Sequence, residues 1–269
     1  MTWEIITKEE YLKNDDNYEY KVEKLGNPDI WKIFEYTRAN GVIPNVTING
    51  YNLTDECVDE LVRLCGAVAV SRYNPPDVCY DAVKRLTDKG LKQCNIHMLL
   101  AAETYDECLQ VLKDKLTDPR LEKLNAIVFL SLKKKGKRNT FHPLKNIDKY
   151  QKLVEFALKN NIAIGFDSCS APLFLQSVKG REDLGSFEMY KTLAEPFESY
   201  LFSFYVNVEG KTFPCSFMEE EDFEGIDVAT CNDFLQDIWF NPRVVEFREK
   251  LLANIDDNRC RRCPKFDIY

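Results

Sequence analysis

The chain of 269 residues is 45% hydrophobic and 30% charged, which allows a substantial core in one or two domains. A net charge of −8 and a pI of about 5.1 exclude nucleic acid as the main partner, because a phosphate backbone demands a concentrated positive surface. No run approaches the roughly 18 apolar residues of a membrane span, and residues 1–16 lack the apolar segment of a secretion signal. The expectation is therefore a cytoplasmic chain with no membrane partner, in which the ten cysteines stay reduced.

From residue 40 to 166 short β-branched runs alternate with amphipathic runs. Residues 42–48 read as a strand closed by Asn49-Gly50. A helix follows, with Thr54 as N-cap, Asp55 and Glu56 in the first turn, Val58, Leu61, Val62 and Cys65 inward, and Gly66 as its stop. Residues 67–71 form the next strand. Pro75-Pro76-Asp77 opens a helix that Gly90 ends. Strand 94–100, helix 104–116, strand 124–132, helix 147–159 and strand 162–166 continue the alternation. Strands alternating with helices imply a parallel α/β sheet, either doubly wound or a full or partial (β/α) barrel. Lys133, Lys134, Lys135, Lys137 and Arg138 read as a solvated basic loop.

The pattern changes after Phe166. Residues 199–208 and 211–215 flank Glu209-Gly210 as a hairpin. An acidic loop at 219–224 and helical pieces near 232–240 and 244–253 precede a terminal Cys260-Arg-Arg-Cys263. The predicted organisation is an α/β domain over 1–166, N-terminally incomplete as a barrel, followed by a small cysteine-bearing α+β domain over 167–269.

The cysteines divide into two sets. Cys57, Cys65, Cys79, Cys94 and Cys108 sit at core-like positions of the βα region and read as packing residues. Cys169, Cys215, Cys260 and Cys263 fall in loops or at strand ends, where thiolates can converge. Four thiolates complete either a zinc site or a [4Fe–4S] cluster, and a single CxxC with two distant cysteines leaves both open. Cys231 is a spare ligand candidate. The two histidines, His97 on a strand and His142 in a loop, assemble no hydrolytic triad, and neither an HExxH motif nor a phosphate-binding glycine loop is present.

These residues resemble a family. The segments Val46-Thr-Ile-Asn-Gly50, Val70-Ser-Arg72, Asn95-Ile-His97, Phe166-Asp-Ser-Cys169, Val208-Glu-Gly-Lys-Thr-Phe-Pro-Cys215, Asp237-Ile-Trp239, Phe247-Arg248 and Cys260-Arg-Arg-Cys263 are similar to radical S-adenosylmethionine proteins that end in a SPASM- or twitch-like auxiliary cluster domain. The resemblance implies a partial (β/α) barrel and an auxiliary [4Fe–4S] cluster on Cys169, Cys215, Cys260 and Cys263 in preference to zinc. It also implies an S-adenosylmethionine site at Thr47, Asn49, Ser71, Arg72 and Asn95. Read without the resemblance, each of these five is as well a helix cap or turn residue.

Two departures stand out. The family's CxxxCxxC loop, which holds the cluster that reduces S-adenosylmethionine, is absent from this sequence. Leu25-Gly26-Asn27-Pro28 replaces the usual Gly-Gly-Glu-Pro, and a neutral amide cannot pair with an ammonium as a carboxylate does. The expected function is part of a radical enzyme modifying a peptide or small molecule, with the missing segment supplied upstream or by another chain. The isolated chain is expected not to cleave S-adenosylmethionine. The alternatives are a non-catalytic binding or scaffold protein, and a zinc-stabilised α/β protein.

Overall fold

The computed structural model describes residues 27–133, 139–194, 198–219 and 223–254. Helix α1 (Ile30–Ala39) precedes the alternating series β1 (Asn45–Ile48), α2 (Asp55–Leu64), β2 (Ala67–Ser71), α3 (Asp77–Asp88), β3 (Gln93–Leu100), α4 (Tyr105–Thr117), β4 (Ala126–Ser131), α5 (Ile147–Lys159) and β5 (Ile164–Phe166). The five strands form one sheet in the order β1-β2-β3-β4-β5. β1 pairs in parallel with β2, and β2 with β3. The expected α/β class with parallel strands holds, and chain order equals strand order as it does in a barrel wall.

The local chemistry explains the first unit, which comprises residues 1–98 and 111–128. Thr54 caps α2 by accepting the Cys57 amide, while Asp55 and Glu56 face the positive end of the helix. Val68, Val70, Cys94, Ile96 and Met98 are buried on one face of the strands. Gly50 takes φ +80°, and a Cβ there would meet the Val78 carbonyl oxygen at 3.1 Å and the Ala82 methyl at 3.2 Å. The turn after β1 thus needs glycine both for its backbone angle and for the close approach of α3.

The second unit contains residues 99–110 and 129–269. Its interior is organised by a run of aromatic rings. Phe166 lies 5.7 Å from Phe129, 5.1 Å from Tyr150 and 5.6 Å from Phe174, and Phe174 lies 5.5 Å from Tyr190. These centroid separations are those of favourable ring pairs, and they fix the exit of β5. The sequence pattern assigns no element to residues 167–198. The structure instead has a 3₁₀ turn (Ser168–Ser170), α6 (Ala171–Val178) and α7 (Phe187–Leu193). Helix α6 escapes an amphipathic search because six of its eight residues are buried, which erases the polar stripe.

A separate antiparallel sheet follows, with β6 (Tyr205–Val206), β7 (Lys211–Phe213) and β8 (Ile226–Asp227) in order. The expected hairpin is present. Buried Asn207 fixes its turn by accepting the Glu209 and Lys211 amides, and Gly210 takes φ +78°. A π-helical segment (Phe234–Trp239) and α8 (Pro242–Ala253) complete the described chain. Among the described residues no helix is long and apolar enough to cross a membrane.

Candidate metal centre and cofactor-binding strands

In the first unit the expected cofactor residues lie along three neighbouring strands, Thr47, Asn49, Ser71 and Arg72 at or just beyond the ends of β1 and β2 and Asn95 near the start of β3. The register pairs Thr47 with Ala69 and Ala69 with Asn95, and two positions further on it pairs Ser71 with His97. Because side chains alternate along a strand, Thr47, Ser71, Asn95 and His97 share one face. Thr47 Oγ1 lies 3.5 Å from His97 Nδ1, and Asn125 Nδ2 donates to Asn95 Oδ1 at 2.8 Å. Arg72 is buried, its amide donates to the His97 carbonyl, and its guanidinium donates to Asn74 Oδ1 at 2.9 Å. Asn49 accepts the Tyr51 amide, as a turn residue does. Burial lowers the pKa of His97 and favours a neutral imidazole. The result is a polar, uncharged row ending at one buried guanidinium.

The five packing cysteines behave as expected of them. Cys65, Cys79, Cys94 and Cys108 are buried and Cys57 is half-buried. Burial pushes the Cys65 thiol up to about 11 and the Cys79 and Cys94 thiols up to about 12, which keeps them protonated and inert.

The second set differs. Cys169 lies in the 3₁₀ turn after β5, and Cys215 lies two residues beyond β7. Although far apart in sequence, they meet in one buried cluster, where Cys169, Met218 and Leu251 form the centre and Cys215, Leu201 and Phe247 pack against it. Both also line a cavity of about 670 Å³. Cys260 and Cys263 lie outside the described residues, as do Leu25 and Gly26. Asn27, which is described, accepts the Asp29 amide through its side chain. Among the described residues no three His, Cys, Asp or Glu side chains gather in metal-binding reach. The described part of the expected set is thus a pair. Cys231 does not line the cavity, and its thiol donates to the Val228 carbonyl at 3.1 Å. Two sulfur donors brought into one cluster and one cavity match the needs of a soft, thiolate-held metal or cluster.

One wall of this cavity was not anticipated. Lys133, read from sequence as part of a solvated basic run, is buried at 8% exposure. Its ammonium pairs with the Asp167 carboxylate, donates to the Ser131 carbonyl at 3.2 Å and sits 5.0 Å above the Phe217 ring. Asp167 also accepts from Ser170 Oγ, and Ser170 Oγ lies 2.5 Å from Ser131 Oγ. A polar network therefore ties the end of β4 to the turn carrying Cys169. The other members of the basic run, residues 134–138, lie outside the described residues. Sequence could not reveal the burial of Lys133, because its carboxylate partner lies in a different βα unit.

The sequence matches the family model of the SPASM iron–sulfur cluster-binding domain over residues 200–264. No curated protein sequence matches the chain. Among solved structures, the chain is similar to Streptococcus suis SuiB, at 13% identity and a TM-score of 0.62 over 82% of this chain and 54% of that one. SuiB bound to the precursor peptide SuiA matches at 12% identity and a TM-score of 0.64, over 87% and 56% of the two chains. SuiB bound to S-adenosylmethionine matches at 12% identity and a TM-score of 0.58, over 82% and 53%. The chain thus spans about half the length of these structures. The resemblance read from sequence is borne out in the SPASM domain and in the SuiB-like fold.

Proposed function

From a chain that carries a SPASM domain on a SuiB-like fold, we propose that this protein is the S-adenosylmethionine-binding and auxiliary-cluster portion of a peptide-modifying radical system. The observation that carries the reading is the meeting of Cys169 with Cys215 in one cluster and one cavity, Cys215 lying inside the segment that matches a cluster-binding domain and Cys169 before it. Cys169 and Cys215, with Cys260 and Cys263 from the tail, are the ligands of a [4Fe–4S] cluster. When bound, such a cluster supplies one-electron redox capacity. The residues of the chain hold it, bury Cys169, half-bury Cys215 and set the apolar side chains of Met218 and Leu251 against them.

The polar residues of β1 to β3 and the turns that follow β1 and β2 provide the second half of the reading. Thr47, Asn49, Ser71 and Asn95 offer uncharged donors and acceptors to a ribose, and Arg72 offers a guanidinium to a carboxylate. The polar ends of parallel strands are where barrel folds build their sites. SuiB with S-adenosylmethionine and SuiB with a precursor peptide support this cofactor and this substrate class. No CxxxCxxC occurs in these 269 residues, so the chain by itself binds S-adenosylmethionine without cleaving it.

Anaerobic purification with iron, zinc and sulfide quantification and electron paramagnetic resonance tests the centre. Iron and sulfide in matching amounts, lost together in Cys169→Ala and Cys215→Ala, are expected. Zinc without iron or sulfide would overturn the cluster. Formation of 5′-deoxyadenosine by the reconstituted chain alone would overturn the division of labour.

A further inference from the structure

Arg72 and Lys133 are the only buried cationic side chains among the described residues. Stability alone does not account for Lys133. Replacing a buried ion pair with well-packed apolar residues is often neutral or stabilising, so such a pair is weak evidence of a stabilising role. Its position suggests another purpose. The ammonium touches Asp167, two residues before Cys169, and the face of Phe217, two residues after Cys215. One cation is therefore held between the chain neighbours of both cysteines, and all five residues line the same cavity. Met218 and Leu251 pack at the two thiols, Ser168, Ser216 and Glu198 also line the cavity, and Lys133 is the one cation among its described lining residues; two thiolates drawn out of water need a compensating charge close by.

We propose that Lys133 is the positioning residue and charge partner of the cluster site, fixing the Cys169 turn through Asp167 and raising the potential at which the cluster takes up an electron. The inference rests on the reading of Cys169 and Cys215 as cluster ligands. Lys133 reaches the turn by two routes. Directly, it pairs with Asp167, whose carboxylate accepts from Ser170 Oγ. Through Ser131, whose carbonyl it binds, it shares the end of β4 with the hydroxyl that contacts Ser170. Its field acts as well. A cation near a reducible centre favours the state with one more electron, and a carboxylate disfavours it.

A merely structural role and an electrostatic one predict different signs. The full chain is reconstituted anaerobically as Lys133→Met, Lys133→Arg and Asp167→Asn, folding is checked by circular dichroism, and the cluster is titrated with dithionite under electron paramagnetic resonance. Lys133→Met leaves an uncompensated carboxylate, so its midpoint should fall. Asp167→Asn leaves an uncompensated ammonium, so its midpoint should rise. Lys133→Arg should remain near the unmodified value. Shifts of the same sign in the Met and Asn variants, or none, would overturn the proposal. If Lys133→Met fails to hold iron, Asp167→Asn decides alone: a rise supports the proposal, and a fall or no change overturns it. Cys169→Ala and Cys215→Ala separate this failure from that of the underlying reading. If both retain full iron, sulfide and signal, the ligand assignment falls and the role of Lys133 falls with it. If both lose them while Lys133→Met leaves the midpoint unmoved, only the role of Lys133 falls.

Discussion

Two groups of polar residues on and beside the strands of this chain are built on opposite principles. Thr47 and Ser71, near the ends of β1 and β2, and Asn95 and His97, within β3, are half-buried or exposed and uncharged. Strands β4 and β5 lead into Lys133 and Asp167, a nearly enclosed ion pair with side-chain exposures of 6% and 17%. Hydrogen-bonding groups that keep contact with water can exchange one partner for another at little cost, which suits a ligand that binds and leaves. A buried charge pair cannot trade partners cheaply, which suits a resident group. The contrast fits the proposed division between a dissociable cofactor in the first region and a permanent centre in the second.

The second region should be the more fragile. Phe129→Ala removes a fully buried ring from the aromatic run beneath the β5 exit and should cost about 3–5 kcal/mol in denaturant unfolding. A loss under about 1 kcal/mol would mean that the rings do not hold this turn. Next in size, Lys133→Met alone should cost about 3 kcal/mol, because Asp167 is left buried without its cation, whereas Lys133→Met with Asp167→Leu should restore most of that loss. Equal destabilisation by the single and double variants would break the comparison. In the first region, Asn95→Ala should leave stability nearly unchanged and weaken S-adenosylmethionine binding by roughly fivefold, about 1 kcal/mol, as read by titration calorimetry.

The smallest expected effect is a pH slope. Burial lowers the folded pKa of His97 from its ordinary value of 6.5. An unfolded chain then binds a proton that the folded one refuses. The contribution of His97 is therefore fully present above 6.5 and is lost as pH falls through the folded value. His97→Gln should flatten this dependence, which denaturation at about pH 7.5 and about pH 5.5 would reveal.

Legibility in the sequence followed the range of the interactions. Helix α5 was readable to the residue, because Asn146 caps it, its apolar period is regular and Asn160 ends it. The N-cap at Thr54, the glycine at 50 and the hairpin at Gly210 were readable for the same reason: each is a local solution to a local problem. Helix α6 was not, since its apolar residues surround the axis and Pro172 looks like an interruption. Strand β8 has only two residues and exists through its pairing with β7. In the candidate site the cysteines could be sorted by position. Their surroundings could not, because Lys133 and Asp167 are separated by a complete helix and the pairing depends on the fold.

The ion pair also bears on motion. The Ser170 amide donates to the Asp167 carbonyl at 2.8 Å, closing the turn that carries Cys169. An ordinary turn of three residues frays on its own. This one cannot open without withdrawing a carboxylate from an enclosed ammonium, so its opening is tied to that of the end of β4. Its amides should therefore exchange with solvent hydrogen at the slow rate of the surrounding core and not at the fast rate of a loop.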